Sequence, residues 1–210
     1  MSRQDHIDLV QHWEEVHERV GPGGGSWYQE VPRVSIELIQ SLGVAKSTPI
    51  VDVGGGSSRL VDALIQRGFS DISVLDVSAT ALQLSRSRLG EAASRVQWLL
   101  QDLLEWEPSR AYGLWHDRAV FHFLVEPELR ERYKTVLRST LVPGGLVIMA
   151  AFAPDGPERC SGLPVARYGP KGLVDALGQD FTCLGSWRED HATPGGATQP
   201  FTWVALRVLG

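Results

Sequence analysis

Residues 50–59 read IVDVGGGSSR, a β-branched run that leads into three glycines and then into an amphipathic segment. Because glycine lacks a Cβ, such a turn can bend sharply and bring its backbone close to a ligand. The helix expected next offers unpaired N–H groups at its first turn. The stretch therefore predicts a strand, a glycine turn and a helix that together cradle a nucleotide.

Short apolar runs alternate with amphipathic stretches on both sides of this turn, which is the pattern of βαβ units. Strands are expected at residues 50–53, 72–76, 96–101, 113–116, 146–151, 181–185 and 201–208. Helices are expected between them at 59–67, 79–92, 127–140 and 170–177, and before them at 7–19 and 32–42. The alternation predicts an α/β fold.

Two classes of protein fit the glycine turn: nicotinamide-dependent oxidoreductases and proteins that bind an adenosyl ligand. Gly54 and Gly56 fill the first two places of the fingerprint G-x-G-x-x-G, but Arg59 stands at the third, where glycine lets a helix pack closely on its strand. Asp76 ends the second strand, where a carboxylate can accept hydrogen bonds from a ribose diol in either class. Asp102 follows the third strand and suits an adenine. The arginine disfavours a nicotinamide-dependent oxidoreductase, and the second acid favours an adenosyl ligand.

Four motifs, VDVGGGS at 51–57, LDV at 75–77, QDL at 101–103 and LVPGG at 141–145, together resemble the class I S-adenosylmethionine-dependent methyltransferases. The resemblance implies a doubly wound, Rossmann-like sheet of seven mostly parallel strands, with helices on both faces and an antiparallel last strand. It also implies S-adenosyl-L-methionine as the cofactor. The cofactor-binding residues that it implies are Trp13, Trp27, Gly54, Gly55, Gly56, Ser57, Asp76, Val77, Asp102 and Leu103.

The length fits one domain over residues 1–210, with an N-terminal helical lid at 1–45 and a cofactor-binding core at 46–210. Members of the family commonly carry an aromatic lid, and Trp13 and Trp27 stand where it would lie. This region is loosely similar to thiopurine methyltransferases. The glycine-rich residues 21–25 would form a hinge or a plain surface loop, and the tryptophans would otherwise be core residues.

Ligands of such sheets bind beyond the carboxyl ends of the strands, so the polar segments after the fourth and fifth strands and before the last strand predict the acceptor pocket. The candidate catalytic residues are His116, Asp117 and His122. The candidate substrate residues are Tyr28, Arg118, Cys160, Arg167, Tyr168 and His191. A base is needed only for hydroxyl or protonated amine acceptors, and each residue could instead be an ordinary loop position.

The amino-acid composition limits the classes of binding partner that are expected. Twenty basic and 25 acidic residues give a net charge of −5 without a basic block, so we expect no nucleic acid partner. Two cysteines and no metal-ligand spacing indicate a reducing cytoplasm and no metal site. No apolar run is long enough to span a membrane. The oligomeric state stays open.

These observations predict methyl transfer from S-adenosyl-L-methionine to a small-molecule acceptor, with a thiol or another soft nucleophile among the candidates. The main alternative is a protein lysine methyltransferase. The other two are a nicotinamide-dependent oxidoreductase and a non-catalytic cofactor-binding protein, because a glycine turn alone does not establish turnover.

Overall fold

The computed structural model describes residues 3–209, with side chains from residue 9 onward. Its strands are β1 (Ile50–Val53), β2 (Ile72–Asp76), β3 (Val96–Leu100), β4 (Tyr112–Arg118), β5 (Leu141–Phe152), β6 (Arg159–Cys160), β7 (Leu163–Pro164), β8 (Phe181–Ala192) and β9 (Thr198–Val208). Its α-helices are α1 (Arg3–Val20), α2 (Arg33–Ser41), α3 (Leu60–Gln66), α4 (Ala79–Leu89), α5 (Pro127–Thr140) and α6 (Pro170–Leu177).

Seven of these strands form one sheet in the order β3-β2-β1-β4-β5-β9-β8, and β6 pairs with β7 in a separate hairpin. The strands from β1 to β5 pair in parallel, whereas β9 runs antiparallel to both β5 and β8. The predicted Rossmann-like sheet with an antiparallel last strand is therefore confirmed. Strand order switches direction between β1 and β4, and a ligand crevice is expected at the carboxyl ends of the strands there.

The central strands β1 and β2 are buried along their whole length, because packed helices cover both faces of the sheet. Side chains alternate between the two faces. Val51 and Val53 join one core, while Ile50 joins the other. Asp52 therefore lies on the same face as Ile50.

Local signals set the ends of the helices. The hydroxyl of Ser78 accepts a hydrogen bond from Ala81 N at 3.0 Å and begins α4. This helix ends at Leu89, before the expected residue 92, because Gly90 has a φ of +57° and a 3-10 turn follows. Among the helices within residues 3–209, none combines the length and the apolar character needed to cross a membrane.

Four strands, β4, β5, β8 and β9, are longer than expected, and the differences in β4 and β8 affect the site. β4 continues past the expected end at His116 to Arg118, so Asp117 and Arg118 belong to a strand and not to the loop after it. β8 continues to Ala192, so His191 pairs with β9. β8 is an edge strand with an exposed face, and the polar residues on that face resemble a loop in sequence.

Candidate functional site

A cavity opens at the carboxyl ends of β1, β2 and β4, where the strand order switches. The glycine turn after β1 forms one wall, and α1 with the segment after it supplies another. The expected site residues that line this cavity are Trp13, Trp27, Tyr28, Gly54, Gly55, Gly56, Ser57, Asp76, Val77, Asp102, Leu103, His116, Arg118 and Cys160. The fold thus gathers them from distant parts of the chain.

The glycine turn packs too closely on its neighbours to hold side chains. A Cβ at Gly54, whose φ is +63°, would lie 2.1 Å from a methyl carbon of Val120. A Cβ at Gly56 would lie 2.6 Å from Asp76 Oδ2. Glycine is therefore required here by both backbone conformation and space, and the bare backbone forms part of the cavity wall.

Asp76 presents a buried carboxylate to this wall. Its Oδ1 accepts a hydrogen bond from Ser78 N at 2.9 Å, which fixes the side chain at the end of β2. Burial raises the pKa of Asp76 to about 7, and the negative charges of Asp52 and Glu14 add to that rise. Hydrogen bonds from hydroxyl groups that enter the cavity would strongly stabilise the charge of a carboxylate with so little solvation.

Asp102 stands at the other end of the same wall. Its Oδ1 accepts a hydrogen bond from Leu104 N at 2.8 Å, so the turn after β3 is held by the side chain itself. The buried Leu103 side chain lies beside it in the cavity lining. A carboxylate next to an apolar surface can receive an amino group and a flat ring together.

A buried network joins β1, β4 and α2 at the cavity. His116 Nδ1 lies 2.7 Å from Asp52 Oδ1, and His116 Nε2 lies 2.9 Å from Ser35 Oγ. A carboxylate only accepts hydrogen bonds, so in the neutral imidazole the ring proton lies on Nδ1 and Nε2 accepts from the hydroxyl. Sequence reasoning assigned no role to Asp52 or Ser35. An acid inside an otherwise apolar buried strand was the available signal for Asp52.

Arg118 ends β4 with its guanidinium buried in the cavity wall. Its Nη1 donates a hydrogen bond to Trp27 O at 2.9 Å, and the group lies 4.7 Å from the centre of the Phe201 ring. Among the described residues, its Nε and Nη2 have no hydrogen-bond partner. Burial lowers the pKa of Arg118, and the carboxylate of Glu189 opposes that shift.

Five expected site residues lie outside the lining of this cavity: Asp117, His122, Arg167, Tyr168 and His191. Alternation of side chains along β4 explains the position of Asp117. His116 and Arg118 face the cavity, so Asp117 between them faces the opposite core. Asp117 accepts hydrogen bonds from Tyr133 Oη at 2.6 Å and from Val120 N at 2.8 Å. It thereby holds the turn that follows β4.

The other four residues outside the cavity take part in packing or hydrogen bonding. The ring of His122 packs on Phe152 at 4.7 Å between centroids, and burial lowers its pKa to about 3. Tyr168 packs on Phe121 at 5.6 Å. Arg167 donates to Gly156 O at 3.1 Å, and His191 Nε2 donates to Ser26 O at 2.8 Å.

Two residues of α1 at the site were not expected from the sequence. Glu14 accepts hydrogen bonds from Ala79 N at 2.5 Å, Thr80 N at 3.1 Å and Ser78 Oγ at 3.1 Å, so it caps α4 from another helix. His17 lines the cavity, and burial lowers its pKa to about 4. Its spacing of four residues from Trp13 placed both on one helix face, but no local signal indicated what that face covers.

Comparison with known proteins agrees with this geometry. The family described as "Methyltransferase domain" matches residues 50–145. EEF1A lysine methyltransferase 2 of Danio rerio is 26% identical over 163 residues, which cover 69% of this chain and 69% of that protein. A SAM-dependent methyltransferase from Anabaena variabilis superposes with a TM-score of 0.72 at 18% identity, over 95% of each chain. The N-methyltransferase NodS from Bradyrhizobium japonicum, in complex with S-adenosyl-L-homocysteine, has a TM-score of 0.68 at 14% identity, over 93% of this chain and 97% of that one.

The fold defines an α/β protein with a cavity at the switch point of its sheet, where sheets of this kind bind their ligands. Residues 50–145 match a methyltransferase domain and the four motifs resemble those of class I enzymes, so the protein is an S-adenosylmethionine-dependent methyltransferase with S-adenosyl-L-methionine as its cofactor.

Proposed function

We propose that this enzyme methylates a small molecule inside the cavity described above. The observation that carries the proposal is the fastening of the segment after α1 across the strand ends. Arg118 Nη1 donates to Trp27 O at 2.9 Å, His191 Nε2 donates to Ser26 O at 2.8 Å, and Gln29 Nε2 donates to Glu189 Oε1 at 2.5 Å. A cavity covered in this way suits an acceptor that is enclosed whole, because water is excluded from the reacting atoms.

The residues present fit the parts of the cofactor. The bare backbone of the turn at residues 54–57 lines the cavity, where we assign the methionyl part, and a Cβ at Gly54 or Gly56 would collide with Val120 or Asp76 and displace this wall. Arg59 lines the same wall and its Nε has no hydrogen-bond partner among the described residues, which suits the methionyl carboxylate. We assign the ribose to Asp76 with Val77, and the adenine to Asp102 with Leu103. We propose that Trp13 and Trp27 cover the bound cofactor.

When bound, the cofactor supplies a methyl group already activated by its sulfonium, so the protein chiefly has to align the acceptor. Of the three candidate bases, His116 lines the cavity, whereas Asp117 and His122 do not. We propose that Asp52 orients His116 and that Nε2, after Ser35 moves aside, takes the proton of an acceptor that needs a base. Asp117 and His122 are then structural residues.

A protein lysine side chain is the second candidate acceptor. The similarity to a protein named EEF1A lysine methyltransferase 2 favours it. The two candidates differ in what the covering segment must do. A lysine on a folded protein has to reach the cavity from outside, which requires the segment at residues 21–31 to open.

Label transfer separates the two acceptors. We expect methyl-tritiated cofactor, incubated with the enzyme and a cell lysate, to label the low-mass fraction. The matched control is Asp76→Asn protein, which we expect to bind the cofactor poorly. Label that appears in a discrete protein band, and disappears with the control, would instead establish the lysine alternative.

The organisation into a lid at residues 1–45 and a core at 46–210 gives a further prediction. Burial by itself would raise the pKa of Glu14, but hydrogen bonds from Thr80, Ala79 and Ser78 together lower it. The tether is therefore intact at neutral pH and weakens as the pH falls through this lowered value. We propose that Glu14 holds the lid on the amino end of α4.

Glu14→Gln is expected to raise amide exchange across residues 13–28 and to weaken S-adenosylhomocysteine binding by about fivefold, because a charged cap contributes about 1 kcal/mol. Hydrogen exchange and calorimetry measure the two effects. The neighbouring exposed Glu15, bonded to Gln11 at 2.8 Å, provides the control Glu15→Gln with the same change of charge. Equal effects of the two variants would contradict the tether.

A further inference from the structure

We propose that the methyl acceptor carries an anionic group, a carboxylate or a similar oxyanion, and that Arg118 binds it. This inference rests on the proposed function, because it names the chemistry of the small molecule held in the same cavity. Its basis is one buried side chain with unused donors at the acceptor end of the site.

The position of Arg118 separates it from the proposed cofactor contacts to ribose and adenine. Val53 pairs with Asp117 in the register of β1 and β4, so Arg118 lies level with Gly54 at the start of the glycine turn. Asp76 and Asp102 follow β2 and β3, which lie on the other side of β1. Arg118 therefore stands where the methionyl end of the cofactor meets the acceptor.

The hydrogen bonding of Arg118 is incomplete. A guanidinium has five N–H donors, and a buried charged donor without a partner is costly. Nη1 has Trp27 O, but Nε and Nη2 have no partner among the described residues. Both nitrogens are shielded from solvent in this structure. They share one edge of the planar group, and a carboxylate that displaces the groups covering this edge would bind it with two parallel hydrogen bonds.

The nearest carboxylate does not satisfy this edge. Glu189 Oε2 lies 3.9 Å from Arg118 Nε, beyond hydrogen-bond distance, and it already accepts from Trp203 Nε1 at 2.9 Å. Glu189 Oε1 accepts from Gln29. Glu189 therefore balances the charge through space while its oxygens are committed elsewhere, and its own charge opposes a bound anion.

The surroundings of Arg118 are aromatic. Its guanidinium lies over the Phe201 ring, and Trp27 and Phe123 line the cavity on either side of Trp13. An acceptor with a flat apolar body and one anionic group would match both the rings and the free edge. A lysine ammonium would meet the positive charge of Arg118 instead.

Calorimetry on protein saturated with S-adenosylhomocysteine tests this inference. Benzoate, phenylacetate and indole-3-acetate are each compared with the corresponding amide, which has the same body without the charge. We expect at least one carboxylate to bind about tenfold or more tightly than its amide, as a bidentate charged pair requires. Arg118→Gln is expected to remove that preference, and Arg118→Lys to keep part of it.

Two further variants test the role of the neighbouring charge and provide a control. Glu189→Gln keeps an acceptor for Trp203 and removes a repelling charge, so it is expected to tighten carboxylate binding. Arg188→Gln removes a positive charge, as Arg118→Gln does, but at an exposed arginine of β8, and it is expected to leave the carboxylate-to-amide ratio unchanged. Equal binding of every carboxylate and its amide, or binding of neither, would overturn the inference. Loss of S-adenosylhomocysteine binding, or label only in protein bands, would instead overturn the proposed function.

Discussion

Asp76→Asn is expected to weaken the binding of S-adenosylhomocysteine by about 100-fold, because hydrogen bonds to a charged acceptor contribute about 1.5–3 kcal/mol each. The amide oxygen of asparagine can still accept the hydrogen bond from Ser78 N that holds the side chain in place. The loss would therefore report the missing charge and not a displaced strand end.

The same substitution is expected to stabilise the unliganded protein above pH 7. Burial raises the pKa of Asp76 to about 7, so the folded state binds a proton more tightly than the unfolded state does. For an acid shifted in this direction, stability falls as the pH rises from the unfolded value near 4 through about 7. Asparagine removes that loss. Opposite changes in binding and stability are the signature of a residue kept for its ligand.

Calorimetry and thermal unfolding between pH 5 and pH 9 measure both effects. In the wild type we expect affinity to fall below pH 7, as Asp76 takes up its proton, and in the variant this dependence should disappear. Asp71→Asn, just before the amino end of β2, is the control, and it removes only an ion pair with Arg110. An unchanged affinity in Asp76→Asn would refute the ribose assignment.

Gly54→Ala is expected to lower the free energy of unfolding by about 3 kcal/mol and to abolish measurable cofactor binding. Its φ of +63° disfavours any side chain, and its Cβ would lie 2.1 Å from a methyl carbon of Val120. The turn would have to move into the cavity that it lines. Urea unfolding and calorimetry with S-adenosylhomocysteine measure the two losses.

A matched glycine separates conformation from crowding. Gly43 has a φ of +68° with no atom within 4 Å of its expected Cβ, so Gly43→Ala carries the backbone strain alone, about 1 kcal/mol. The double variant Gly54→Ala with Val120→Ala should recover part of the difference. An equal loss of unfolding free energy in Gly54→Ala and Gly43→Ala would contradict the close packing of the turn.

The local elements of this fold could be predicted from short stretches of sequence. The bounds of β1 and β2 agree with those expected, because each is a compact apolar run with turn residues at both ends. Pro127 marked the first turn of α5 for a similar reason, since proline restricts the backbone at one position, whereas Gly90, which ends α4, was placed inside the expected helix 79–92. The order of β1, the glycine turn and α3 needed nothing beyond residues 50–67.

Interpretation of the site was less complete, because it depends on which face each side chain takes. The sequence predicted a strand that ends at His116 and a polar loop after it, but Asp117 and Arg118 continue β4 and therefore point to alternate sides. A loop has no such alternation, so an assignment to a loop cannot predict which of these side chains faces the cavity. Glu14 and Ser35 were out of reach, since their partners lie 65 and 81 residues away in the chain.

The sequence alone therefore determined the class of fold, the glycine turn and the acids at the ends of β2 and β3, because backbone preference and strand alternation are set within a few neighbouring residues. Only the tertiary structure decided that Asp52 pairs with His116, that α1 reaches α4, and that one edge of Arg118 has no hydrogen-bond partner among the described residues. Those contacts depend on the register between strands and on packing across the sheet, which no local stretch of sequence contains.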